Sequence, residues 1–216
     1  TCALPICVQE SVFRPKATAL QPDVFRGMGT LDEWLGVYRD FVGPDKRLLG
    51  LLTLTAFASP LMSLMGSEAA IVVASDPLGG TGKTAAIRMA ASTFSHPGDS
   101  RGIVLGGNVT THAIGVHCAT LGDLPAYINE LDLSAKHTGV QSMAATIYSI
   151  VNGSGMTRGR SDGTTVTTEA WNLLLTITTN ANLTGELIAM KGTSQARLQR
   201  LLVITPKRSP ALQGGV

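Results

Sequence analysis

The sequence has 216 residues, 44% of them hydrophobic and only 15% charged, so it is long and apolar enough to bury one sizeable core. A net charge of +2 implies neither nucleic acid nor an acidic partner, and any basic surface must be local. Cys2, Cys7 and Cys118 form no disulfide framework and have no metal-ligand spacing; such a set suits a reducing cytosol, the expected compartment.

Residues 1–29 show no clean hydrophobic period and contain Pro5, Pro15 and Pro22, which reads as an arm or the end of an upstream domain. A start at Thr1 rather than at methionine is expected of a piece of a longer protein. Thr30 with Glu33 three residues on predicts a capping box, and Leu31, Trp34, Leu35, Tyr38 and Val42 then recur at helical spacing. Gly43-Pro44 ends that helix, and a second is expected over 46–65. Its uncharged part, 48–65, is about as long as a membrane span requires. Thr53, Thr55, Ser59, Pro60 and Ser63 interrupt it, however, and a water-facing loop follows closely. A buried helix and no membrane contact are therefore expected. These helices, residues 30–66, should pack on a core formed by 67–216.

Residues 71–75, Ile-Val-Val-Ala-Ser, read as a buried parallel strand, and an alanine-rich helix is expected over 84–94. Between them lies Gly79-Gly80-Thr81-Gly82-Lys83-Thr84. Glycines let successive backbone N–H groups face inward around an anion. Lysine reaches the β- and γ-phosphates, and the hydroxyl that follows it serves Mg²⁺. Strand, glycine loop and helix in this order make a phosphate-binding βα unit for ATP with Mg²⁺. The usual first glycine of the pattern is replaced by Pro77, so the loop is expected to begin at Gly79.

The second half alternates in the same way: a strand over 126–130, a helix over 136–151, an extended hairpin over 153–168, a strand over 171–178, a short helix over 183–191 and a last strand over 201–205. Alternation predicts an α/β fold with a parallel sheet. Hydrolysis needs a group to orient water and a group to support the metal. At the tip of 126–130, taken to neighbour the loop strand, Glu130 fits the first role. Asn129 stands where Asp is common and would support the metal without charge, with Asp132 a substitute. Asn180, after Thr178-Thr179, is placed to sense the γ-phosphate, with Asn182 its competitor. The histidines share no spacing with carboxylates, and no Gly-x-Ser-x-Gly elbow is present, which argues against an α/β-hydrolase.

With these pieces in order, the chain resembles the ATPase/helicase domain of phage and plasmid replication proteins of primase–helicase type. That domain is similar to superfamily 3 helicases within the AAA+ class of P-loop NTPases. The likeness runs over about 29–205. It rests on Leu31-Asp32-Glu33-Trp34, Ala56-Phe57-Ala58-Ser59-Pro60-Leu61-Met62, Gly79 to Thr84, Leu124 to Glu130, Gly153 to Arg160, Trp171 and Thr178-Thr179-Asn180. The resemblance implies an AAA+-like core, a homo-oligomeric ring, usually a hexamer, and ATP at subunit interfaces. It also implies an arginine reaching the neighbouring γ-phosphate, for which Arg200 is the best positional match and Arg197 the second. Primase or polymerase modules in the same longer chain, and the cytoplasm of a bacterial host if phage-encoded, follow from it too. Pro77 and Asn129 depart from the pattern and bear on hydrolysis rate more than on nucleotide binding.

Arg158 and Arg160 stand beside a predicted turn at Asp162-Gly163. At a hairpin tip they would grip single-stranded DNA through its phosphates. The leading expectation is thus an ATP-driven DNA helicase or translocase. A nucleotide-gated assembly platform with little hydrolysis is the alternative, given Asn129. A small-molecule kinase would need an acceptor pocket and an arginine-rich lid, neither of which is evident.

Overall fold

The computed structural model describes residues 22–42, 47–77, 79–98, 102–132, 149–154, 170–183, 185 and 201–206. Helix α1 (Leu31–Phe41) starts as expected. The Thr30 hydroxyl accepts from Glu33 N at 3.3 Å, and Glu33 Oε2 accepts from Thr30 N at 2.8 Å. These bonds favour the ionised acid and hold the Glu33 carboxyl below its ordinary range. Inward from this cap, Trp34 stacks on Tyr38 at 5.3 Å, meets Phe57 edge-on, and donates through Nε1 to Ser92 Oγ at 2.8 Å. Just upstream, a short 3-10 turn (Pro22–Phe25) lies against the core, and Val24 O accepts from His96 N.

Helix α2 (Arg47–Leu64) is buried along Leu49, Leu52, Thr53, Thr55, Ala56 and Ser59. Among the described residues no helix is long and apolar enough to cross a membrane. Three of the hydroxyls that spoke against a membrane span, those of Thr53, Thr55 and Ser59, bond within the protein. Thr55 Oγ1 accepts from Thr176 Oγ1 at 3.0 Å, and Ser59 Oγ accepts from Leu174 N at 2.9 Å and donates to Asp123 O.

The strands are β1 (Ala70–Ser75), β2 (Val104–Gly106), β3 (Ala126–Asn129), β4 (Leu174–Thr179) and β5 (Leu201–Ile204). They form one sheet in the order β2-β3-β4-β1-β5, with every pairing parallel. Central β1 and β4 are buried over all but their first residues, as continuous apolar or small side chains allow, whereas edge strand β5 is largely open. Helix α3 (Lys83–Ala91) follows β1 and packs beside α2; α4 (Thr111–Leu121) connects β2 to β3.

Three expectations change. The 126–130 strand does not neighbour the loop strand: β4 lies between β3 and β1, because β1 pairs with β4 on one side and β5 on the other. Strand β4 begins at Leu174 rather than Trp171, whose indole turns back to donate to Ile150 O at 3.1 Å. Strand β2 and helix α4 were not anticipated; β2 has three residues, and α4 is apolar on most sides. The 136–151 and 183–191 helices and the 153–168 hairpin fall largely outside the described residues.

Candidate active site

Parallel pairing brings the C-terminal ends of β1, β3 and β4 to one edge of the sheet, the usual place for a site in such folds. Strand β1 leads through Asp76 into the glycine loop. Gly79, Gly80 and Gly82 take φ of 66°, 63° and 85°, the left-handed region that a side chain at Cβ disfavours. Gly82 caps α3 without any side chain, and the first bond back to it comes from Ala86 N. The amides of Lys83, Thr84 and Ala85 therefore lead the helix with no intrahelical acceptor, and no acidic residue sits in that turn. This end of α3 is electropositive and suited to an anion.

The loop lines a cavity of about 780 Å³ that also takes in Glu130 and Asn180. That volume lies in the range of nucleotide-sized and drug-sized ligand sites. Among the described residues no side chain fills it. Lys83 is buried, with Nζ donating to Asp76 O at 3.1 Å and lying 3.5 Å from Thr81 Oγ1. Burial pulls its pKa down, opposed by the negative charges of Asp76 and Glu130. Bound phosphate would add to that opposition and favour the ammonium form.

Across the cavity, Thr84 Oγ1 donates to Glu130 Oε1 at 3.3 Å. Glu130 sits just beyond β3 at φ 58°, the one described non-glycine residue with positive φ. Such a backbone costs on the order of 1–3 kcal/mol unless neighbours fix it. Its N–H donates to Thr178 Oγ1 at 2.8 Å, and the same hydroxyl donates to Asn129 Oδ1 at 3.2 Å. Gly107, after β2, permits the close approach of this turn: a Cβ there would collide with Glu130 O. Ser75 Oγ donates to Ala181 O at 2.6 Å, tying the end of β1 to the turn that carries exposed Asn180.

Lys83, Thr84, Glu130 and Asn180 are thus gathered around one cavity with the glycines. Asn129 is buried behind Glu130, and Asp132 is exposed beyond it. Asn182 Oδ1 accepts from Gly185 N within its own turn. Arg158, Arg160, Arg197 and Arg200 lie outside the described residues. Sequence reasoning missed Thr178 and Gly107, as well as the wall of Val37, Met89, Ser92 and Pro97 that extends the cavity toward α1. A run of three polar residues closing an apolar strand, Thr178-Thr179-Asn180, was the available signal for Thr178.

Residues 8–171 match the family described as domain of unknown function DUF927. The chain belongs to this family. No curated protein matches the sequence. A solved structure described as "SCCmec type IV Cch - active helicase" superposes with a TM-score of 0.63 at 17% identity, over 87% of this chain and 34% of that one. The chain therefore spans about a third of that protein, and the likeness is one of fold. NtrX from Brucella abortus in complex with ATP superposes at a TM-score of 0.38 and 12% identity, over 89% of this chain and 39% of that one, too loosely to support an inference. This DUF927 chain has the α/β parallel-sheet fold of P-loop NTPases, with helices packed ahead of the sheet.

Proposed function

We propose that this domain is the ATP-hydrolysing core of a DNA helicase or translocase. One observation carries the reading: a glycine loop with its lysine, a hydroxyl at Thr84 and a carboxylate at Glu130 converge on one cavity, Thr84 and Glu130 within 3.3 Å. The amides of Gly79 to Gly82 and of the α3 start, with Lys83, hold the triphosphate. Thr84 and Glu130 face the position of the metal, with Asn129 behind them, and Glu130 orients the attacking water. Asn180 contacts the γ-phosphate end. Among the described residues no three His, Cys, Asp or Glu side chains form a metal cage. The residues present fit Mg²⁺, which takes few protein oxygens and completes its shell with water and phosphate. The bound ion would supply charge neutralisation at the phosphates.

The larger assembly rests on the resemblance to replication motors. A homo-oligomeric ring, a hexamer by that likeness, would place Arg200 of one subunit at the next subunit's nucleotide. Arg158 and Arg160 would hold single-stranded DNA. The residues flanking their segment support a route between the two sites. Ser154 bridges Ala170, and Trp171 N donates to Gly153 O at 2.9 Å, just ahead of β4. Strand β4 then runs about 17 Å from Leu174 to Thr179, beside Asn180, at its ~3.3 Å per residue. Primase or polymerase modules elsewhere in a longer chain, within a bacterial cytoplasm, belong to the same proposal.

ATP turnover by the assembled protein, measured with and without single-stranded DNA, tests this. The expected result is Mg²⁺-dependent hydrolysis that DNA stimulates and Lys83→Ala abolishes. Turnover indifferent to DNA and to Lys83 overturns it. The assembly-platform reading draws support from Asn129, which brings no charge and whose Oδ1 accepts from Thr178. It expects tight ATP binding with negligible turnover, and Asn129→Asp would raise the turnover.

A further inference from the structure

We infer that Thr178 is the positioning residue that sets the Glu130 carboxylate toward Thr84, an inference that rests on the hydrolytic reading of this cavity. Thr178 lies on central strand β4, fully buried, and a threonine hydroxyl offers one donor and two acceptor sites. The donor goes to Asn129 Oδ1 at 3.2 Å, and an acceptor site takes Glu130 N–H at 2.8 Å. Its main-chain carbonyl accepts from Leu131 N at 2.8 Å. One residue thereby grips the three successive residues that form the turn.

The turn needs such a grip. Glu130 has no glycine's freedom, yet its φ is 58°, where a glutamate rests only if its surroundings dictate it. Released to an ordinary backbone, the residue would carry its side chain off in another direction, and the 3.3 Å contact with Thr84 would be lost. Two positions after Thr178 on the same chain, Asn180 lines the same cavity. Movement of the β4 end thus reaches the carboxylate and the asparagine together. Strand pairing alone does not explain the hydroxyl: valine would fill the same space and pair equally well, but could neither donate to Asn129 nor accept from Glu130.

The test compares Thr178→Val, Thr178→Ser and the parent chain in ATP turnover, together with amide hydrogen exchange at Glu130. Thr178→Val should keep the KM for ATP within about threefold and lose roughly 10- to 100-fold in kcat, the scale on which a displaced catalytic group acts. Thr178→Ser, which keeps the hydroxyl, should remain within about threefold in both. Exchange of the Glu130 amide should quicken in Thr178→Val while the β1 amides stay protected. Equal kcat for Thr178→Val and the parent, a serine variant as slow as the valine one, or unaltered Glu130 exchange overturns the inference. Should Thr178→Val fail to fold, the serine variant and the parent decide: a Glu130 amide exchanging freely in the parent overturns it. A parent chain that binds no ATP would sink the hydrolytic reading and leave the exchange result to judge the turn by itself.

Discussion

Thr84 and Glu130, 46 positions apart in sequence, meet at 3.3 Å through hydroxyl and carboxylate. The contact joins the first turn of α3 to the end of β3 across intervening β4. Glu130→Gln keeps the shape and a hydrogen-bonding oxygen but removes the negative charge that the proposed role requires. ATP binding should persist while single-turnover hydrolysis falls by about 10²- to 10⁴-fold. A rate within twofold of the parent would remove Glu130 from the chemistry.

Lys83 is held by Asp76 O and lies beside Thr81 in a buried setting that disfavours its charge. Lys83→Ala should weaken ATP binding roughly 10- to 100-fold, the usual scale for charge-assisted bonds. It should not lower the melting temperature of the nucleotide-free protein, since it removes a cation that burial penalises. Titration calorimetry and thermal melting read the two effects separately; unchanged affinity would contradict the phosphate assignment.

Gly107 lets the Glu130 turn lie against the end of β2. Gly107→Ala should cost about 1–3 kcal/mol in chemical denaturation, because the added carbon meets main chain rather than a side chain that can swing aside. Turnover should fall more than nucleotide affinity. Parent-like stability in this variant would mean that the loop yields more easily than its packing indicates.

His117 Nε2 lies 3.0 Å from Ile103 O, and burial lowers its pKa despite that bond. The folded protein therefore releases this proton at a lower pH than the unfolded chain, whose value is near 6.5. The contribution to stability is complete above about pH 6.5 and is lost as pH falls through the folded value. His117→Gln keeps a donor for the carbonyl without titrating. Its denaturation midpoint should vary less than the parent's between pH 7 and 5; parallel profiles would disprove the assignment.

Cys118 is wholly buried on α4, and burial pushes its thiol up to about 12. At pH 8 almost no thiolate exists there to react. Iodoacetamide should leave Cys118 unmodified until denaturant is added, as read by peptide mass mapping. Prompt labelling in the native protein would show that the α4 layer opens readily.

The glycine loop was legible because its signal is local: six consecutive residues, Gly79 to Thr84, between an apolar strand and an alanine-rich helix. The α1 cap at Thr30 and Glu33 was legible for the same reason. Glu130 and Asn180 could be placed at strand tips, since the ends of apolar runs mark where chains leave a sheet. Strand order was not legible. Nothing near Tyr127 or Ile128 records that Thr176 and Ile177, roughly fifty residues on, pair with them. Strand β2 escaped notice because three residues hold no period. The start of α4 was readable in principle from Thr110, whose hydroxyl accepts from Ala113 N, and its end from Gly122 at φ 66°. The role of the Thr178 hydroxyl emerges only once β3 and β4 are side by side.

Helix α2 presents leucine outward at 51, 54, 61 and 64 as well as inward at 49 and 52. Apolar contact alone would accept several rotational settings of such a cylinder. The bonds at Thr55 and Ser59 admit one. Rolling α2 by about 100°, a single residue's worth, strips the buried Thr176 hydroxyl and the half-buried Leu174 amide of their partners. The orientation of α2 is thus chosen by the penalty on every other roll angle rather than by the attraction of any one.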